Sequence, residues 1–359
     1  MDQRATSQSE EEEWAGQSVV RTNTHLLRLL GLWRPARSRL YDAYTAAVLA
    51  VGVADLALAS AGLWLRPGGL AEVTLGLANL FVILTALSKS VLLLGRRPLF
   101  YELVRRVDGA TAAQRPFCGE DPLLARLSAD ARARADRLSR AMHWYVVFAA
   151  LSWSAVPLLA PPGDRVWPFQ QLPPRPWARS PLYEASYALQ VAGTTYFALI
   201  NMDSDCFFMA VMTHVSLQFR ILASRFAKLN STEESLADKK ASDVRVTSSE
   251  STLPVDDTDR ELRACIQTHQ KLLRLVNFLN DVMSPMAMMQ LALGVINSCM
   301  VLFPATYSED SSDVMKCWGA LPLLAIQVFL YCSGAQRLAD QLVQATYSYY
   351  TLLQHFNSH

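Results

Sequence analysis

Charge is scarce and nearly cancelled in this 359-residue chain: Lys, Arg, Asp and Glu make up 18% of it, the formal net charge is +1, and 51% is hydrophobic. An ordinary soluble domain carries more charge and less apolar weight. Near-neutrality gives no basis for wholesale binding to nucleic acid, and none is expected among the partners. The six cysteines (Cys118, Cys206, Cys265, Cys299, Cys317 and Cys332) are widely spaced and form no CxxC pair. Neither a zinc site nor a disulfide framework is therefore indicated, and they read as buried small hydrophobes. Nucleophile-elbow, P-loop and dinucleotide-binding motifs are missing, so no catalytic residue, metal or cofactor is expected. No secretory signal is expected either, because acidic residues 10–13 precede a first apolar run that is too long and too late for an h-region.

What the chain has is long apolar runs. Residues 41–65 and 70–94 are each long enough to cross a bilayer core, which takes about 20 helical residues. The first carries one acid, Asp55, and the second carries Lys89 near one end, where its stem can snorkel. Residues 141–160 form a third run and 187–215 a fourth, which holds Asp203, Asp205 and His214 and crosses only if those groups sit near the inner end or face protein. Residues 286–303 and 317–331 complete six. The spacing predicts an all-α membrane protein: a cytoplasmic segment over 1–40, a transmembrane bundle over 41–331 and a short terminal piece over 332–359.

Basic residues orient the runs, since positive loops stay cytoplasmic. Residues 21–40 hold five Arg and no acid, residues 95–140 hold ten Arg, and the stretch from Arg220 to Arg274 holds ten Lys and Arg. The alternate connections are poor in bases, so the N-terminus reads as cytoplasmic. Residues 121–147 and 214–229 extend runs three and four as helices. Residues 230–257 are polar and low in complexity and read as a disordered loop. Helix resumes over 261–285, with Leu262, Cys265, Ile266, His269, Leu272, Leu273, Val276 and Leu279 at i, i+3, i+4 spacing. Such an amphipathic helix needs a neighbour or another subunit to pack on.

Six segments in order then resemble the signatures of insect odorant receptors: "LLRLLGLWRP" (26–35), "SPLYEASYALQ" (180–190), "DCFFMAVMTHVSLQFRIL" (205–222), residues 265–303, "QVFLYCSGAQRLADQ" (327–341) and "YSYYTLL" (347–353). Gustatory receptors share the plan, but "GLWRP" and "HQKLL" lean toward the odorant branch. The resemblance implies a ligand-gated cation channel subunit, assembled as a heterotetramer with a co-receptor in the plasma membrane. It also implies a small volatile apolar ligand, held in the outer half of each helical bundle and surrounded by membrane lipid. By depth, the implied pocket candidates are Leu77, Phe81, Ser152, Trp153, Val156, Tyr187, Thr194 and Trp318, while Asp205, His214 and Gln218 match a recurrent pattern of the fourth helix with a structural role.

The end of the chain departs from that family pattern. Only fifteen positions separate Cys332 from Tyr347, so most of a seventh helix is missing. Residues 333–344 offer one Gly and no Pro for a turn, which favours six complete crossings and a cytoplasmic tail bearing Leu342, Tyr349, Leu353 and Phe356, packed on the 261–284 helix. If the tail re-enters the membrane instead, Leu352 and Phe356 fall where the family's pore narrows. A non-conducting fragment and a secondary transporter are the other readings, although the two halves show no matching Gly or Pro breaks of the transporter kind.

Overall fold

The structure, a computed structural model, describes residues 18–33, 39–65, 69–155, 180–242, 253–307 and 311–357. Among these are eight helices: α1 (Arg21–Leu29), α2 (Arg39–Leu65), α3 (Leu70–Gly95), α4 (Arg97–Glu120), α5 (Pro122–Ala155), α6 (Leu182–Ser242), α7 (Leu253–Tyr307) and α8 (Ser311–Asn357). Five carry stretches long and apolar enough to cross a membrane: α2, α3, α6, α7 and α8. The expected third crossing falls on the end of α5, and residues 156–160 of that run lie outside the described residues. Some large apolar side chains point outward, and several polar ones are buried. Leu40, Val51, Val53, Leu58 and Trp64 of α2 are exposed, whereas Asn79, Lys89, Asn201, Asp203, Asp205, Gln290, Asn297 and Gln327 are buried. Lipid solvates the first set, and the second finds partners only inside the bundle, as in a multi-pass membrane protein.

The chain forms two compact units, each assembled from three separated stretches. The first comprises residues 1–101, 136–210 and 283–332; the second comprises 102–135, 211–282 and 333–359. Helix length explains the interleaving: at about 1.5 Å per residue α6, α7 and α8 far exceed the ~30 Å of a hydrocarbon core.

In the first unit, α1 is not a free leader, since Leu27 is fully buried. Its end is set by Gly31, whose φ of +78° is open to glycine at little cost. Gly31 N donates to Arg28 O and Leu32 N to Leu27 O, the paired bonds of a Schellman cap. Tyr44 and Thr45 hydroxyls donate to the leftover carbonyls of Leu29 and Gly31 at 2.9 and 2.7 Å. Trp33 then packs on Tyr101 and Phe207, with ring centroids 4.5 and 5.8 Å away, and Phe100, Phe208 and Tyr331 continue the aromatic core. Between α2 and its neighbours a methyl on Gly52 would meet Leu87 Cδ2 at 2.7 Å and Phe197 at 3.0 Å, so glycine permits that close approach.

In the second unit, Leu124, Ala131, Leu217 and Ile221 form a buried cluster. Arg225 reaches Glu261 with two hydrogen bonds of 3.1 and 2.5 Å and lies 3.5 Å from the centroid of the Phe117 ring. The predicted amphipathic helix is the N-terminal part of α7, and Cys265, His269, Leu272, Leu275, Leu279 and Val282 are among its buried positions. His269 sits among Phe219, Phe226 and Tyr349, stacking on Tyr349 at 5.6 Å.

Residues 333–357 therefore continue the sixth apolar run as one helix, α8, and the tail meets α7 as the pattern suggested. Leu338, Ala345 and Leu352 of that stretch are buried and Tyr349 packs on His269, while Leu353, expected on the packed face, is 37% exposed. The stretch expected to be a disordered loop is helical at both ends, to Ser242 and from Leu253, with 243–252 outside the described residues. Glu, Leu, Ala and Lys over 233–241 are good helix formers and outweigh the polar composition there.

Candidate ligand cavity

The first unit holds a cavity of about 290 Å³, bounded by α3, α5, α6, α7 and α8 and open at one side. It exists because facing helices bring small side chains to the same level. Eight of its nineteen lining residues are Ala, Gly, Ser or Thr, among them Ala78, Ala149, Ala150, Ala198, Gly319 and Ala320. Larger residues such as Trp153, Val301 and Leu324 form the apolar walls, and Phe148 and Met315 stand at an exposed rim. The polar side chains are few: Asn79, Tyr145, Ser152, Thr194 and Asn297. A mostly apolar cavity with a handful of oriented polar groups suits a small neutral organic molecule.

Of the residues singled out by depth, Ser152, Trp153 and Thr194 line this cavity. Leu77 and Phe81 are half-buried on other faces of α3, about 100° per residue away from Ala78, Asn79 and Val82. The Tyr187 hydroxyl donates to Ser154 O, tying α6 to α5 beside the cavity rather than within it. Trp318 is 67% exposed and faces outward. Val156 lies outside the described residues, as do the side chains of Phe356 and its neighbours. Asn79, Tyr145, Phe148 and Asn297 were not singled out. Their signal is the run of small residues beside them, such as Ala149-Ala150 and Gly319-Ala320, which marks a volume deficit when it recurs on facing helices.

A second, smaller cavity of about 50 Å³ adjoins the first, sharing Val82, Val146, Ala198, Asn297, Leu323 and Leu324 with it. Below it Lys89, fully buried rather than snorkelling, lies 2.5 Å from Asp205 Oδ1 and donates to Asn201 O at 3.1 Å. The hydroxyl of Tyr331 donates to Asp205 Oδ1 at 2.8 Å and Gln327 Nε2 to Asp205 Oδ2 at 3.1 Å. Gln290 Nε2 in turn donates to Gln327 Oε1 at 3.2 Å. A second acid, Asp203, accepts from Asn23 Nδ2 at 3.4 Å and lies 3.2 Å from His143 Nε2. Both acids thus have partners within the bundle, the structural role expected of Asp205.

The family described as 7tm Odorant receptor has a model that matches residues 70–352, most of the chain. The chain belongs to the odorant receptor family. Its fold is similar to that of the insect olfactory receptor OR5 from Machilis hrabei, at 14% identity and a TM-score of 0.72, covering 98% of this chain and 87% of that one. The same receptor in complex with eugenol gives 14% identity and a TM-score of 0.69, covering 97% and 90%. At that identity the likeness is one of fold. A comparison with curated proteins found no match.

Proposed function

We propose that the chain is the odorant-binding subunit of an odorant-gated cation channel in the plasma membrane of a sensory neuron, with its N-terminus cytoplasmic and a co-receptor completing the tetramer. The observation that carries this reading is the 290 Å³ cavity, apolar and bordered by five helices of an odorant receptor fold. The OR5 receptor of Machilis hrabei, which shares the fold, was solved in complex with eugenol. A small volatile organic molecule is the ligand class assigned here to this chain. Binding rests on burial of apolar surface, at roughly 25 cal/mol per Å², and gating on a difference in affinity between closed and open states.

A second reading concerns conduction and is favoured by one observation: α8 runs unbroken from Ser311 to Asn357. No turn separates the sixth apolar run from "YSYYTLL", so this segment does not return across the membrane as a separate pore helix. The chain then binds odorant while conduction depends on the other subunits. Co-expression with the co-receptor, for this chain and for a version with a full seventh helix inserted after Gln341, tests both readings. Odorant-evoked current that rises on insertion supports binding with an incomplete pore. Equal currents refute the claim that the gap matters, and no response from either version refutes the receptor reading.

A further inference from the structure

The small cavity beneath the proposed odorant site is lined by three side-chain amides, two of which are oriented by the network around them. An ionised carboxylate can only accept, so Gln327 must turn its Nε2 toward Asp205, and its Oε1 is left to face Gln290. Gln290 must then present Nε2 to that oxygen, which leaves its own Oε1 without a hydrogen-bond partner in the protein. Asn201 is fixed in the same way: Val82 O can only accept, so Nδ2 donates to it at 3.0 Å and Oδ1 is the atom left over. Asn297 Oδ1 is the third buried oxygen without a partner.

All three residues are more than nine-tenths buried and all three line the same 50 Å³ space. Asn297 also lines the larger cavity, so the two spaces meet at its side chain. A single water offers two hydrogens and leaves at least one of three acceptors bare. A pocket end built to accept hydrogen bonds discriminates by what it leaves unpaired, because a buried acceptor facing a group that cannot donate keeps its full desolvation penalty.

We propose that the deep end of the cavity selects odorants carrying a hydrogen-bond donor, alcohols and phenols, over ethers of the same size, through Asn201, Gln290 and Asn297. The proposal rests on the odorant-binding reading above. The hydroxyl enters the small cavity and donates to one of the amide oxygens, while the hydrocarbon part fills the larger apolar space. Lys89 takes no direct part, since its ammonium is committed to Asp205 and Asn201 O.

Isomeric ligand pairs test this without changing size or hydrophobicity much: 1-octanol against heptyl methyl ether, and 4-ethylphenol against 4-methylanisole. Binding is measured by calorimetry on the full chain in lipid nanodiscs. The expected result is at least about fivefold tighter binding of the donor in each pair, with the preference falling to within about twofold in Asn297→Leu; Gln290→Met serves as the second variant if that one does not fold. Equal binding of both isomers overturns the donor selection and leaves the odorant reading standing, as does a preference unchanged in the variants. Failure of all four ligands to bind overturns both.

Discussion

Lys89 and Asp205, on α3 and α6, form an ion pair in which both side chains are completely buried, with Nζ 2.5 Å from Oδ1. The carboxylate also accepts from Tyr331 and Gln327, and the ammonium also donates to Asn201 O. Removing one partner leaves a bare charge in the interior. Lys89→Met and Asp205→Leu are each expected to cost about 3–5 kcal/mol, and the double substitution clearly less than their sum. Thermal unfolding of the purified variants in detergent measures this, and additive losses count against a coupled pair.

Gly31 supports a different kind of prediction, since its φ of +78° is a backbone demand. Gly31→Ala introduces strain of roughly 1–2 kcal/mol and brings a methyl within 3.0 Å of the Tyr44 ring. The expected signature is a lower unfolding temperature together with easier proteolysis near α1, while Gly69→Ala, where a methyl meets nothing within 4 Å, moves neither.

Tyr349 closes an aromatic cluster in the second unit with Phe226 and His269, each at 5.6 Å. Tyr349→Ala is expected to destabilise by about 3 kcal/mol, as for loss of a large packed aromatic, whereas Tyr347→Ala, at a position 67% exposed, stays within about 0.5 kcal/mol. Hydrogen exchange over 261–284 should rise in the first variant and not in the second. Equal effects would show that the tail does not pack on α7.

The direction of α8 is testable on intact cells. With a cytoplasmic N-terminus and six crossings, an epitope appended after His359 is reached by antibody only when the membrane is permeabilised. Labelling from outside would mean that the end of the chain crosses the membrane again and that "YSYYTLL" lies within it.

Five of the six expected runs were legible because an apolar run of membrane length has few other uses, and the amphipathic 261–284 helix was legible from its period. The role of Lys89 was not. A lone cation near the end of an apolar run reads as snorkelling, and nothing local shows a partner 116 positions away. The cavity was hidden for a similar reason. Aromatic residues such as Phe81 and Trp318 stand out in a sequence, but a cavity is made by side chains that are small, and Ala78, Ala149 and Ala320 look like ordinary helix formers until five helices bring them together. Residues 230–257 read as a loop from their polar composition, yet both ends are helical because Glu, Leu, Ala and Lys there are good helix formers.

Filling the cavity tests the central claim most directly. Ala149 lines it and is only half-buried, so Ala149→Trp adds bulk there with little demand on the tightly packed core. Calorimetric titration of volatile alcohols into the full chain in nanodiscs should give saturable binding to the unaltered protein and at least about tenfold weaker binding to the variant, a difference of ~1.4 kcal/mol. Undiminished binding to a folded Ala149→Trp protein would place the odorant somewhere other than this cavity.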